Sequence, residues 1–405
     1  MTKIITEEKS IVSCSDFELN IERPQKLFYK YSYPKDKKIN GIVFTIQGFG
    51  AEPSYMDNLR LFLAEEFSVV AVDVYYHCFF SRPENGASLE FDNLDLYVLQ
   101  DFIDKYGIDF SDVKEITTNS VLSNLNRKIG ILKANGTFVS DYRLKLPITI
   151  IPKGNEYQNF GVMQAVDHIN VLLELQEMPF DFIPNYSVSL MGTSHGGYLA
   201  HLIAKFAPHK IDCVIDNSCY VKPPVNYILG KETNILQPEY KTILEHIVLN
   251  CFVQTLWTTN TKSQNFFTPN HYRIRDLNDS MHTNTLSQYT QNKTRYISYH
   301  SAQDKIANID DKIDLYKRLN NLGFETKLHI VDNQSQIDGK FIKTLSHGMD
   351  MSLKELAKKE LPQALSQNKN QINNNNIIIY ECDTIKYIFN YENNTLNIKV
   401  LKCTP

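Results

Sequence analysis

Two runs of apolar, largely β-branched residues flank a stretch of helical spacing near the start of the chain. They are residues 41–46 (Gly-Ile-Val-Phe-Thr-Ile) and 68–74 (Ser-Val-Val-Ala-Val-Asp-Val), with residues 56–67 between them. Continuous apolar character, rather than strict alternation, marks a strand covered on both faces, as in a parallel sheet. Strand, helix and strand in succession then call for an α/β fold with a mostly parallel central sheet flanked by helices. The pattern resumes further on. Residues 161–175 read as an amphipathic helix, 186–191, 211–216, 294–300 and 326–331 as strands, and 309–322 and 352–361 as helices. Residues 17–33 alternate apolar and polar and read as one or two leading strands.

The pattern is interrupted twice, at about 75–157 and about 217–293, by polar and aromatic sequence with only scattered helical pieces such as 94–106. These segments read as insertions in one domain spanning 1–366. Residues 367–376 are rich in Asn and Gln and read as a linker. Beyond them, 377–380, 387–391 and 396–401 form a small β-meander, with Asn393-Asn394 as the turn between the last two. The linker and meander together make an appendage, 367–405.

Composition excludes several classes of function. A net charge of −4 gives no basic footprint for nucleic acid. No segment reaches the roughly 18 consecutive apolar residues that span a bilayer. Glu7 and Glu8 interrupt any apolar stretch after the basic start, so no secretory signal is expected. The seven cysteines are scattered and contain no CxxC pair, which speaks against a disulfide framework and a structural zinc site. A cytoplasmic setting, no metal and no cofactor are the expectation, and the sequence says nothing about oligomeric state.

The strongest chemical signal is Met191-Gly192-Thr193-Ser194-His195-Gly196-Gly197. It fits G-x-S-x-G, with a strand before it and a helical stretch after it. A serine on so tight a strand-to-helix turn is exposed in a strained backbone conformation. The residues two before and two after it must be small to avoid collision. The following helix presents its positive end, so the backbone N–H of His195 is suited to stabilise an oxyanion.

This segment resembles the nucleophile elbow of the α/β-hydrolase superfamily, and the likeness runs over the sheet-forming parts of the chain, about 41–361. The resemblance implies a triad in the order nucleophile, acid, histidine. Ser194 is then the nucleophile. His347, in the loop Leu345-Ser346-His347-Gly348-Met349, matches the catalytic histidine; His329 lies inside a strand and fits that role less well. The acid is expected at the end of a late strand. Tyr299-His300-Ser301-Ala302-Gln303-Asp304 resembles the superfamily's H-G-x-x-D turn, with Ser301 where glycine is usual, and points to Asp304; Asp216 is the rival. Gln47-Gly48-Phe49-Gly50 resembles H-G-x-G with glutamine for histidine, which makes the Phe49 N–H the second oxyanion donor beside that of His195.

The helix at 157–175 resembles its counterpart in prolyl-oligopeptidase-like and acyl-esterase branches. No β-propeller precedes the sheet, which favours an esterase. The chain is also similar to an uncharacterised α/β-hydrolase family of flagellated bacteria that is encoded near genes for surface-glycan modification. That likeness implies acyl groups on a sugar or another small molecule as substrate. Tyr220, Tyr227, Trp257, Phe266, Phe267 and Tyr272 in the second insertion suit either an aromatic lid or a local core. His77, Arg273 and Arg275 are candidates to meet an anionic group of a substrate. Two alternatives to a serine esterase stay open: an acyltransferase using the same triad, and a binding protein on an inactive hydrolase scaffold.

Overall fold

The computed structural model describes residues 3–111, 113–292, 294–366 and 376–403. The chain divides into two compact units. The first is Met1–His77, Phe160–Pro223 and Thr268–Pro405; the second is Cys78–Asn159 and Pro224–Phe267.

The first unit is built on an eight-stranded sheet. Its strands are β1 (Ile4–Val12), β2 (Lys26–Pro34), β3 (Ile39–Ile46), β4 (Val70–Tyr75), β5 (Phe182–Thr193), β6 (Cys213–Asn217), β7 (Arg295–Ser301) and β8 (Glu325–Val331). They lie in the order β1-β2-β4-β3-β5-β6-β7-β8. β2 runs antiparallel to both β1 and β4, and the pairs from β4 through β8 are parallel. This is the α/β-hydrolase fold. The apolar runs read as buried strands are so: every residue of β6 and β7 is buried, and all but one of β3. β1, at the sheet edge, carries Glu7, Glu8 and Lys9, charges that discourage pairing with another chain.

Of the leading strands, β2 falls within the alternating stretch and runs one residue past it, whereas β1 lies ahead of it. β1 begins at Ile4, and residues 17–20 form a turn in which Asp16 accepts hydrogen bonds from the backbone N–H groups of Glu18 and Leu19. The apolar spacing there serves packing of a loop, not a pleat. Periodicity alone does not separate the two.

Five helices matter for the site: α1 (Asp57–Phe67), α2 (Val162–Glu177), α3 (His195–Phe206), α4 (Ile309–Leu322) and α5 (Leu353–Leu365). α1 and α5 share one apolar cluster with the sheet, in which Leu59 and Leu63 meet Val43, Met191, Ile215, Ile297, Leu356 and Leu361. α3 is buried along its whole length, and α2 along most of it. The amphipathic face expected for α2 is therefore too narrow an estimate: α3, and Asn394 of the meander on Leu173 O, cover what the sequence pattern left open to water. α5 runs four residues further than expected and contains Pro362, whose missing N–H falls near the helix end.

The meander is a three-stranded antiparallel sheet, Ile377–Cys382, Ile385–Glu392 and Thr395–Lys402. Asn393 and Asn394 both have positive φ, as a tight hairpin turn requires. Its tyrosines cap α3: Tyr380 Oη donates to Lys205 O and Tyr391 Oη to Phe206 O, 2.9 Å. Those are last-turn carbonyls with no partner inside the helix. Of the stretch expected as a linker, 367–375 lie outside the described residues.

The second unit joins two segments that are distant in sequence. Strands Ser88–Glu90, Leu144–Ile151, Ile247–Val253 and Tyr240–Ile243 form one sheet, in that order, with Leu144–Ile151 and Ile247–Val253 parallel. Helices Asn93–Tyr106 and Thr118–Ala134 belong to it. Lys231 binds Asp92 and Asp95 at the start of the first of these helices, where the capping carboxylates sit. Trp257 and Phe267 meet edge to face at 5.4 Å, and both are buried, so in this unit they form a local core. The chain from Thr268 onward lies with the first unit.

Candidate active site

Ser194 sits between β5 and α3 with φ 52° and ψ −119°. That conformation is costly for a residue with a side chain and persists only where the surroundings impose it. They do so here by close backbone approach. A Cβ on Gly196 would stand 2.0 Å from Ile46 O, and one on Gly192 would stand 2.3 Å from Gly196 O. Only glycine fits at either position. The turn after β3 packs at ordinary contact distance: a Cβ on Gly48 would lie 3.5 Å from Ser194 Cβ. Ser194 N donates to Asn217 O at 2.8 Å, which ties the elbow to the end of β6.

His347 and Asp304 converge on this serine. His347 Nε2 is 2.7 Å from Ser194 Oγ, and His347 Nδ1 is 2.7 Å from Asp304 Oδ2. The other oxygen, Asp304 Oδ1, accepts from Ile306 N at 2.8 Å and Ala307 N at 3.0 Å. Burial opposes ionisation of Asp304, but the bond from His347 and the two backbone donors outweigh it and hold the carboxyl below its usual value. His300, the histidine that opens the turn motif, places Nε2 3.8 Å from Asp304 Oδ2 and 3.0 Å from Ala307 O. Burial, with Lys312 nearby, lowers its pKa.

The rival acid is engaged elsewhere. Asp216 is fully buried and meets Lys312 Nζ at 3.1 Å, His201 Nε2 at 2.9 Å, Ser298 Oγ at 2.9 Å and Tyr316 Oη at 3.2 Å. Burial raises its pKa, yet Lys312 and His201 overcome that and hold it well below the carboxylate range. His201, Asp216 and Cys219 are the group among the described residues whose donor atoms are close enough to share a metal ion. The Lys312 ammonium already stands among them, 2.5 Å from Cys219 Sγ, and supplies the positive charge there. His329, the other histidine considered, stacks on Tyr299 at 4.1 Å within the sheet.

His195 opens α3, so its backbone N–H is one of the first-turn donors without a partner in the helix. Its imidazole is buried, bonded through Nε2 to Gln164 Oε1 at 2.8 Å and through Nδ1 to Tyr220 Oη. Burial, with His168 nearby, lowers its pKa to about 3, so the ring is neutral. The Phe49 ring meets it edge-on at 5.6 Å. The two residues expected to donate to an oxyanion thus touch through their side chains. Tyr220 belongs to this cluster, bonded to the imidazole. Arg275 is fully buried against Glu18, and Arg273 pairs with Asp279 and Asp383, so neither guanidinium is placed to meet a substrate at Ser194.

Ser194 and His347 open on a cleft of about 600 Å³, lined also by Tyr55, Asn217, Lys343, Asp350 and Met351. The wall is mixed, with one cation and one anion at exposed positions.

The family comparison accords with a chain-long likeness. Residues 7–400 match the model described as Protein of unknown function (DUF2920). The chain belongs to this family. No curated protein matches it. Among solved structures, it is similar to the acylaminoacyl peptidase of Pyrococcus horikoshii at 12 % identity and TM-score 0.44, covering 91 % of this chain and 42 % of that one. Est1E of Butyrivibrio proteoclasticus, solved with ferulic acid bound, gives 12 % identity and TM-score 0.41 over 84 % of this chain and 96 % of that one. A Bacteroides ovatus protein proposed to be a dipeptidyl aminopeptidase IV gives 11 % and 0.43, over 90 % and 36 %. The chain therefore spans less than half the length of the two peptidases. No helix among the described residues is long and apolar enough to cross a membrane.

Proposed function

We propose that this chain is a serine hydrolase that cleaves an ester or related acyl bond through an acyl-enzyme, with Ser194 as nucleophile, His347 as base and Asp304 as orienting acid. The observation that carries the reading is the unbroken chain of contacts from Asp304 through His347 to Ser194, 2.7 Å at each step. A serine hydroxyl is protonated at neutral pH and attacks only as its proton leaves. Asp304 accepts from Nδ1–H, which leaves the Nε2 lone pair facing Oγ. Oγ then bonds to the carbonyl carbon while Nε2 takes the proton. The carbonyl oxygen gathers charge near the N–H groups of His195 and Phe49. Collapse breaks the bond to the leaving group, which takes the proton from Nε2. Water repeats the sequence on the acyl-serine, releasing the acid.

An open cleft with Lys343, Asp350 and Tyr55 on its wall suits a polar substrate with a short acyl group, such as an acylated sugar or small molecule. Turnover of a short-chain p-nitrophenyl ester series and labelling by a fluorophosphonate test the reading. Wild type should do both, and Ser194→Ala neither, with kcat reduced on the order of 10⁴ or more. Wild-type protein that neither labels nor turns over any member of the series would overturn it, as would turnover retained in Ser194→Ala. Product analysis with an added sugar distinguishes water from an alcohol as acyl acceptor.

A further inference from the structure

The loop that carries His347 is in an unfavourable conformation. Gly348, Met349 and Asp350 have φ of 77°, 54° and 42°, three left-handed residues in a row, two of them with side chains. Such a run holds only where neighbouring groups over-determine it. Part of the support is internal: Lys343 N and Thr344 N both donate to Met349 O, and Met349 N donates to Ser346 O. The rest comes from the ends of two adjacent strands.

At the end of β6, Asn217 Nδ2 donates to Gly348 O at 2.9 Å, and Ser218 Oγ accepts from Gly348 N at 3.0 Å. Ser218 Oγ donates in turn to Asn217 Oδ1 at 3.0 Å. At the end of β7, Ser301 Oγ donates to Leu345 O at 2.6 Å. The loop is thus held on both sides of His347, at Leu345 and at Gly348. The same turn holds the nucleophile, since Asn217 O accepts from Ser194 N. Ser218 is itself left-handed, with φ 59°, and its N–H donates to Tyr299 O of β7. All three side chains are buried.

We propose that Asn217, Ser218 and Ser301 form a clamp that fixes His347 against Ser194, so that they are positioning residues for the acyl transfer inferred above, on which this inference rests. None of the three touches a reacting atom through its side chain. Ser301 stands where the resembling superfamily turn has glycine, and its hydroxyl is what glycine would lack. A base displaced by about 1 Å can lose a factor of 10² in rate, so bonds that set the base's position act on kcat rather than on substrate binding.

The test uses full-length Ser218→Gly and Ser301→Ala, with Ser301→Thr as the variant that keeps the hydroxyl. Glycine suits φ 59° better than serine does, so Ser218→Gly should fold at least as well as wild type. Both deletions should lower kcat for p-nitrophenyl acetate by about 10–100-fold, with KM within about 3-fold and fluorophosphonate labelling slowed in proportion. Ser301→Thr should recover most of the loss. A second readout does not need turnover: the downfield Nδ1–H proton resonance of His347, absent in His347→Ala, should broaden or shift in both deletions. Folded deletion variants with unchanged kcat, labelling rate and resonance would overturn the clamp. Loss confined to KM would do the same. If wild type is inert toward esters and fluorophosphonate, the acyl-transfer reading fails, and the resonance still decides whether these residues hold His347 to Asp304.

Discussion

Replacing Asp304 by asparagine should abolish most of the activity while leaving the fold in place, and the geometry says why. Asp304 Oδ1 accepts from two backbone N–H groups, Ile306 and Ala307. An asparagine there would turn its carbonyl oxygen to those donors, which leaves its NH₂ facing His347 Nδ1. Nδ1 could then only accept, and the ring proton would move to Nε2, pointing at Ser194 Oγ. A base that already carries a proton on that nitrogen cannot take the serine's. The comparable substitution in the serine-protease template costs about 10⁴ in kcat, or about 5.5 kcal/mol at 1.36 kcal/mol per factor of ten. The same loss is expected here. Because both backbone bonds survive, thermal unfolding should shift by only a few degrees. Asp216→Asn is the control. It removes a carboxylate that neutralises buried Lys312, so it should cost stability, about 3–5 kcal/mol, while activity per folded molecule stays within a few-fold. The assay is kcat on p-nitrophenyl acetate alongside a denaturation curve for each variant. Activity within ten-fold of wild type in Asp304→Asn, or a loss in Asp216→Asn of the size expected for Asp304→Asn, would refute the assignment.

Three further outcomes follow from the same structure. Gly196→Ala would push a methyl to 2.0 Å from Ile46 O, backbone that cannot step aside, so it should destabilise by about 3 kcal/mol or more and abolish labelling of Ser194; denaturant melts and fluorophosphonate labelling check it. Glu18 is buried against Arg275, and although burial alone would raise its pKa, Arg275 holds it below the usual value. A depressed folded pKa contributes stability that is complete above the unfolded value and is lost as pH falls through the folded one. Thermal unfolding of wild type should therefore weaken below about pH 4.5, and Glu18→Gln should be less stable at pH 7 with a flatter acid limb; an unchanged limb would count against the pair. Truncation after Ser366 would strip Tyr380 and Tyr391 from the last-turn carbonyls of α3 and Tyr387 from Glu18, and should leave protein that is insoluble or markedly less stable by calorimetry.

What was legible in the sequence is what short-range pattern encodes. Residues 41–46 and 68–74 announced buried strands because a strand covered on both faces has no polar side to show. The elbow was legible because its requirement is local: small residues two before and two after Ser194, whose reason appears when Gly196 is seen against Ile46 O. The φ of 56° at Asn20 and the turn at 17–20 were missed because a packed loop and a pleated strand share the same alternation.

Local pattern favoured Asp304 over Asp216 through its turn motif, but it could not show what each carboxylate binds. Asp216 lies near the end of β6 and Asp304 just after β7 of the same sheet, and only the third dimension puts Lys312 and His201 on one and His347 on the other. Ser301 looked like a mild departure from a turn motif; its role emerges only when Leu345, 44 residues away, is brought to its hydroxyl. The two inserted segments gave no sign of sharing a sheet, because pairing Leu146 with Leu249 depends on a fold that first brings distant stretches together. By itself, then, the sequence determined the α/β-hydrolase sheet and the position of the elbow, since strand burial and tight turns are written in neighbouring residues. Tertiary structure alone decided which partners each carboxylate keeps and what grips the His347 loop, because hydrogen bonds and ion pairs depend on distances that sequence separation does not measure.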